Sequence, residues 1–587
     1  MAEILEHLPL LLVALPLIGA FLVAGLAWRG ATRIARQVAV SNSVATLLLA
    51  LVMAACFQPV IPPLGHAATP QMHTAALWLA GIPQATGENQ PAFIPGLDVR
   101  LSLAVDGLSL WPLVGTALIV CAVLASPRPA AMERTAGFEG LVLLLQAGAM
   151  ILFAAQDIVL FAIGLQWVLV TFFLLLGWWG GPDRRAVATR FATYQLTGGA
   201  LVLLGLAGLV IAVSWIRAEL DPSRTALLFD ISTLTTDGYR LSTYSEDTAR
   251  HWMAVAPLLC WLLILGFAVL MPVFPLHLWW TSLASEAAAP VAALAAGILL
   301  KVGLYGWLRF VLPLFPMECP AWTPWLTGLA YLGAAYFSLL ALAQNDLRRF
   351  AGCATAALLQ LAVAGCWSLT AAGVQGSLLL GLALGCGPAA VFLLVGTLEE
   401  RYQTRDPEAF GGLATLYPRL GCWLGAVLLS LTGLPWLGGW SAFVLIISAI
   451  ATTAGPLSVV LPSMLILSWA AIWILQRTLF GRSREPLQEF QFAASWSTLS
   501  GRSGGAWSGF SLPSSDQTLT TGRLPDLELR EVAPIGLLLA ASLWLSLGPQ
   551  VFVNSFQSGL TLALAHFDPK ANGQELPVEE ATAGDAP

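Results

Sequence analysis

The sequence predicts an all-α polytopic membrane protein. About fourteen transmembrane helices are expected, with two inverted five-helix repeats and broken helices. Three observations carry this expectation. First, 57% of the 587 residues are hydrophobic and only 10% are charged, whereas a soluble domain carries about 25% charged residues. Second, apolar runs near 20 residues recur, the length one helix needs to cross a bilayer, while outer-membrane barrels show short alternating segments. Third, prolines interrupt two of these runs, five runs apart.

The spans follow in order, read with a window of about 19 residues. The first two lie near 8–28 and 37–57, and Arg29, Arg33 and Arg36 fall between them. A cation-poor stretch rich in Pro and Gly runs on to about 105. Span three starts at LSLAVDGLSLW and is followed by Arg128 and Arg134. Spans four and five, near 137–154 and 156–179, meet in a short turn around Asp157. Arg184, Arg185 and Arg190 come next, and span six ends near 213. The loop 216–252 is net acidic. Spans seven and eight occupy about 254–316. Span nine, near 324–344, precedes Arg348 and Arg349. Spans ten and eleven precede Arg401 and Arg405. Span twelve, near 418–447, is interrupted by LTGLPWLGG, and span thirteen ends in QRTLFGRSREP. A Ser/Gly-rich loop at 486–522 has no periodicity and reads as mobile. Span fourteen lies near 532–556, and a polar, acidic tail closes the chain. Alternate loops carry the arginines, which places them in the cytoplasm and both termini outside.

Proline removes a helix hydrogen bond. Pro272 and Pro275 interrupt span seven, and Pro435 interrupts span twelve. Each break is the fourth helix of a five-helix unit, and an odd helix count per unit forces inverted topology, as in transporters. The expected division is therefore 1–130 (helices 1–3 with a long external loop), 131–316 (first repeat, helices 4–8), 317–481 (second repeat, helices 9–13), 482–530 (the Ser/Gly-rich loop) and 531–587 (last helix and tail).

Composition excludes some chemistries. The eight cysteines form no CxxC pair and have no histidine at ligand spacing. Cys121, Cys260, Cys353, Cys366, Cys386 and Cys422 fall in or beside apolar runs and read as small core residues. No haem or iron–sulfur motif is present. Glu3 and Glu6 precede the first apolar run, where a cleavable signal would carry positive charge.

Lys301 is the first candidate for chemistry. Of 27 cationic residues only Lys301 and Lys570 are lysine. Lysine can lose its proton when buried, and arginine effectively cannot. A lysine at bilayer depth costs about 2.5–3.5 kcal/mol on insertion scales. The bland alternative is a structural lysine paired with one carboxylate or snorkelling to the interface. Glu286 precedes Pro290 and suits either a cap on span eight, where a carboxylate meets the positive helix end, or a proton path. His277 follows Pro275 and titrates near neutrality; a helix-end histidine at the interface is the alternative. Asp106 reads as an N-cap and Asp346 as a surface or inter-helix pair. The 23 tryptophans read as an interface belt and packing.

Several ordered phrases resemble one family. VRLSLAVDGLSLWPLV, ATRFATYQLTGG, FPLHLWWTSLASEAAAPVAALAAGILLKVGLYGWLRFVLPLFP, LALAQNDLRRFAG, FLLVGTLEERYQTRDPEAFGGLA, LQRTLFG and LPDLELREV are similar to the antiporter-like membrane subunits of respiratory complex I, most closely its chain M. The resemblance covers about 98–556. It implies a membrane-arm subunit of a proton-translocating NADH:quinone oxidoreductase in the inner (plasma) membrane. It also implies a proton path through buried Lys, Glu and His, here Lys301, Glu286 and His277. Other membrane-arm subunits and the bilayer would be its partners, with no nucleic acid. No cofactor is expected in this chain: NADH, flavin, iron–sulfur clusters and quinone would sit on partner subunits.

The sequence also departs from the family. Gln166 stands where the family places a glutamate, Leu270 where it places a lysine, and Leu358 where it places a histidine. LALGCGP replaces an SHG phrase, and GLPWLGGWSAFVLI lacks a charge. Glutamine cannot titrate, and leucine can neither titrate nor hold water. Weakened pumping is therefore expected. A structural spacer without translocation, and a subunit of a multi-subunit cation/proton antiporter, are the competing readings.

Overall fold

The computed structural model describes residues 7–59, 72, 77–80, 97–127, 137–220, 227–241, 246–453, 455–481, 526–565 and 567. The Ser/Gly-rich loop and most of the acidic tail lie outside the described residues. The described chain is helical throughout, apart from one small sheet. The helices are α1 (Leu8–Trp28), α2 (Thr32–Cys56), α3 (Leu110–Ala125), α4 (Phe138–Ala154), α5 (Ile158–Trp178), α6 (Arg184–Leu220), α7 (Ile231–Leu241), α8 (Glu246–Leu270) and α9 (Leu278–Glu286). After these come α10 (Ala289–Leu314), α11 (Cys319–Leu342), α12 (Leu347–Cys366), α13 (Ala371–Tyr402), α14 (Pro418–Leu429), α15 (Trp440–Thr452), α16 (Leu457–Leu479), α17 (Leu529–Leu547) and α18 (Pro549–Ala565).

Among the described residues, eleven helices are long and apolar enough to cross a membrane. The shorter apolar helices α3 and α4, and the α14–α15 pair as two halves of one span, complete the predicted fourteen. This is a multi-pass membrane protein. Span fourteen differs from the expectation: the run near 532–556 is two helices, α17 and α18, parted at Gly548–Pro549. Proline fixes φ and starts a helix readily, so the second helix begins there.

Burial sorts the helices. The apolar windows of α10 and α13 are buried along their whole length, and those of α1 and α2 only by a third. A helix that is apolar all round belongs in the middle of a bundle. Helix α13 packs on α10, α12, α15, α17 and α3, and is the post around which the chain is wound.

The two faces of the bundle are stitched separately. On the face carrying the arginine-rich loops, Arg36 donates to the Ser126 carbonyl at 2.9 Å and Gly181 N–H to the Glu286 carbonyl at 2.8 Å. Arg401 pairs with Glu531 at 2.5 Å and Arg477 with Glu408 at 2.6 Å. On the other face the sheet forms: β1 (Leu77–Ala80) pairs antiparallel with β2 (Leu97–Leu101), and β2 parallel with β3 (Leu227–Leu228). The loops between spans two and three and between six and seven therefore meet on that side, as the alternation of arginines predicts.

Both proline breaks occur where expected. Helix α8 stops at Leu270 and α9 resumes at Leu278; α14 stops at Leu429 and α15 resumes at Trp440. A broken helix in a membrane needs its freed backbone groups satisfied by neighbours. At the first break, Gln195 on α6 donates to the Leu270 carbonyl at 3.3 Å, and Gln360 on α12 donates to the Pro272 carbonyl at 2.8 Å. The Gln360 amide oxygen accepts from Phe274 N–H at 3.4 Å. At the second break, Gly439 N–H donates to Ser546 Oγ at 2.9 Å and Ser468 Oγ to the Thr432 carbonyl at 3.1 Å.

Gln360→Leu tests the first arrangement. It leaves the buried Pro272 carbonyl without its partner, costing about 1–3 kcal/mol, and frees the part-buried Phe274 N–H. A lower unfolding temperature of the purified protein is expected, and an unchanged one would mean that water already serves both groups.

Candidate functional site

Lys301 sits in the middle of the fully buried α10, 6% exposed. Its ammonium group occupies a slot between two other helices. A Cβ added to Gly385 on α13 would stand 2.4 Å from Lys301 Nζ and 2.7 Å from its Cε; one added to Gly115 on α3 would stand 3.1 Å from Nζ. Only glycine at these two places leaves room for the lysine tip. Nζ has no hydrogen-bond partner among the described residues. The expected bland alternative, a lysine held by one carboxylate, is not what the structure has.

The helix around Lys301 is irregular on both sides. Ala295–Leu299 and Trp307–Val311 are wound as π-helix, with Leu300–Gly306 regular between them. Such segments skip the usual i→i−4 bond and concentrate at functional sites. A polar line continues along α10 from Lys301. Tyr305, four residues on, donates to the Phe153 carbonyl at 3.2 Å. Arg309, four further, pairs with Asp106 and donates to Gln156 Oε1 at 3.1 Å.

Asp106 was expected as an N-cap, but the N-cap of α3 is Ser109; Asp106 holds the turn before it, accepting from Leu108 N–H at 3.1 Å and Ser109 N–H at 2.9 Å. Its second oxygen binds Arg309, a partner that sequence reasoning missed because 203 residues separate the two.

His277 and Glu286 lie at the two ends of α9, away from the slot. His277 is buried, with its ring 4.7 Å from Phe337 and 5.5 Å from Tyr336. An open cleft of about 300 Å³ reaches it, lined also by Thr281, Ser285, Gln344 and Arg349. Glu286 is not the cap of α10, whose N-cap is Ala288 with no side-chain bond. It ends α9, with its Oε2 2.4 Å from where a Cβ of Gly181 would stand. The chain turns between Glu286 and the start of α10, so the carboxylate falls on a negative helix end rather than a positive one.

What ties α9 down is an arginine pair. Arg348 donates to the Ala287 carbonyl at 2.5 Å and Arg405 to the Ser285 carbonyl at 2.7 Å. Both pair with Glu399 at 2.6 Å. Cations at helix C-terminal carbonyls complement the helix dipole. Asp346 was expected as a surface or inter-helix pair; among the described residues it instead caps α12, accepting from Arg348 N–H at 2.8 Å and Arg349 N–H at 3.1 Å.

The substituted positions are accommodated without charge. Gln166 is half-buried on α5, with its amide nitrogen 3.2 Å from where a Cβ of Gly199 would stand. Leu270 and Leu358 are buried. All eight cysteines are free thiols; Cys121, Cys260, Cys353, Cys366 and Cys386 are buried as expected, whereas Cys422 is exposed. Among the described residues no group of three or more His, Cys, Asp or Glu side chains is placed to hold a metal.

Comparison with known proteins decides the family. A family model described as "NADH:quinone oxidoreductase/Mrp antiporter, TM" matches residues 155–468, more than half of the chain. The chain belongs to the NADH:quinone oxidoreductase/Mrp antiporter family. The matched stretch of this family contains both proline breaks and Lys301. Among relatives, NADH-quinone oxidoreductase subunit M of Pseudomonas aeruginosa is 30% identical over 423 residues, covering 69% of this chain and 78% of that one. NAD(P)H-quinone oxidoreductase chain 4 of Picosynechococcus is 31% identical over 349 residues, covering 60% of this chain. The match spans 61% of that relative's length. A chain of respiratory complex I from Thermus thermophilus with bound NADH has the same fold, with a TM-score of 0.71, 23% identity, and coverage of 95% of this chain and 99% of that one.

Proposed function

We propose that this chain is a membrane-arm subunit of a complex I-like NADH:quinone oxidoreductase and takes part in proton translocation. The observation that carries the translocation half is Lys301: a buried amine, free of partners, in a glycine-walled slot between irregular helix turns. A lone ionisable group at bilayer depth is costly and marks an ion pathway. The relatives' names carry the complex I half. The chain's division into repeats at 131–316 and 317–481 goes with this reading, because each unit would then supply one of the two broken helices.

His277 and Glu286 serve as outlying groups on the path. The cleft at His277 gives protons a way in from the polar edge at Gln344 and Arg349. Redox cofactors belong to partner subunits, and the membrane is the inner, or plasma, membrane of a bacterial cell. The neutral residues at Gln166, Leu270 and Leu358 weaken translocation relative to a subunit with every carrier.

The family also includes Mrp antiporter subunits, so the complex itself needs a test. The tagged protein is purified from its native host in mild detergent, and its companions are identified by mass spectrometry. NADH-oxidising and quinone-site subunits are expected. Recovery with antiporter chains instead would overturn the oxidoreductase assignment and leave the fold standing.

A further inference from the structure

We propose that Asp106 is the outward proton acceptor for Lys301, with Arg309 as the residue that positions it and displaces its proton. The inference deepens the proton-carrier reading of Lys301 and rests on it. Both groups lie on one seam, between α10 and the chain leading into α3. At one crossing the Lys301 tip lies against Gly115. At the other, Arg309 binds Asp106. Arg309 is eight residues past Lys301, and Asp106 is nine residues before Gly115. Leu110 N–H already reaches back to the Asp106 carbonyl at 3.0 Å, so the helical rise holds from Asp106 onward. At 1.5 Å per residue the two crossings are about 12 Å apart on α10 and about 13.5 Å apart on the facing chain. Two segments running in opposite directions keep that register.

Tyr305 stands midway on α10, four residues from each group. Its hydroxyl donates to the Phe153 carbonyl at 3.2 Å, and its ring lies 5.1 Å from the Phe153 ring. The Arg309–Asp106 pair closes the outer end of the seam. Gln156 Oε1 accepts from Arg309 at 3.1 Å. The Gln156 backbone joins the segments of the outward sheet: its N–H donates to the Ser102 carbonyl at 3.0 Å, just after β2, and its carbonyl accepts from Ile231 N–H at 2.8 Å, at the start of α7. Lysine, tyrosine and ion pair thus form one polar column that ends under the outward sheet. Glu286 lies against Gly181, on the opposite face.

The step moves a proton and nothing else. An N–H bond of the Lys301 ammonium breaks, and its electron pair stays on nitrogen. The Tyr305 hydroxyl takes a proton on a lone pair as its own proton leaves. That proton forms an O–H bond on the Asp106 carboxylate, which loses its charge and its hold on Arg309. When Arg309 returns to the carboxylate, the proton leaves toward the outer side. Arginine keeps its own protons, so it displaces a proton without carrying one.

The test separates stability from translocation. The double variant Asp106→Leu, Arg309→Met exchanges a buried ion pair for an apolar one, a replacement often neutral for folding. The assembled complex is placed in vesicles, and proton movement is followed with a pH-sensitive dye during NADH oxidation. Translocation should fall roughly tenfold or more, the range of a lost proton-transfer group, with the complex intact. Asp106→Asn is the second variant. It retains an oxygen for the Leu108 and Ser109 N–H groups but is no longer an acid, and it should lose translocation likewise. Asp106→Glu keeps the acid and should run faster than Asp106→Asn.

Native translocation in the assembled double variant or in Asp106→Asn overturns the proposal and leaves a structural pair. Equal rates in Asp106→Asn and Asp106→Glu overturn it too. Lys301→Met tells the two readings apart. Native rates in Lys301→Met remove the lysine and this proposal together. Lost rates there, with native rates in Asp106→Asn, remove Asp106 alone.

Discussion

Lys301→Met is expected to abolish proton translocation while the protein becomes more stable. The two effects share one cause. The native lysine is buried and unpartnered, and on insertion scales a mid-membrane lysine costs about 2.5–3.5 kcal/mol. Methionine has similar length and adapts to irregular spaces, so it should fill the slot between Gly115 and Gly385 without the charge. The expected gain is on the order of 2 kcal/mol, seen as a higher unfolding temperature in detergent. Translocation is followed in vesicles with a pH-sensitive dye while NADH is oxidised. A variant that is more stable but still pumps would show that Lys301 is a tolerated burden. One that neither assembles nor pumps would make the lysine structural. A residue that costs stability and carries activity is the usual mark of a functional site.

Asp106→Leu is expected to give the largest loss of stability. Asp106 and Arg309 form an ion pair at the edge of the bundle core, with side chains 2% and 10% exposed. Removing one partner of such a pair leaves the other charge uncompensated, at about 3–5 kcal/mol. Asp106 also holds two backbone N–H groups before α3, so the loss should fall at the upper end. The double variant Asp106→Leu, Arg309→Met should recover much of it, because replacing a whole buried pair by apolar groups is often neutral. The amount of assembled complex and its unfolding temperature measure this. A double variant as unstable as the single one would mean that the turn before α3, and not the stranded guanidinium, carries the cost.

Part of this architecture was legible from one-dimensional pattern alone. Span number follows from run length, sidedness from Arg29 through Arg477, and the two breaks from Pro272, Pro275 and Pro435. Lys301 stands out because the chain otherwise uses arginine for its buried and interfacial cations. What was hidden depends on contacts between distant residues of unremarkable type. Gln195 and Gln360 carry no charge and sit in ordinary apolar runs, so nothing announced them as partners of the first break. Gly115 and Gly385 are two among 54 glycines. The π turns of α10 leave no trace in periodicity, because a helix buried on every side has no polar stripe whose phase could slip. Glu286 was misplaced for a local reason. Its distance from Pro290 fits a cap, but the turn at Ala287–Ala288 comes between them.

The two glutamines at the first break have a mechanical consequence. Gln195 reaches the break from α6, and Gln360 from α12. They grip carbonyls only two residues apart, from two different helices, as a clasp grips a chain. Any slide of α12 past α6 must stretch or open one grip. Packed helices tend to move between discrete seatings rather than deform smoothly. The kink before His277 is thus fastened to two separate helices, and motion of either helix is delivered to it as a hydrogen bond made or lost.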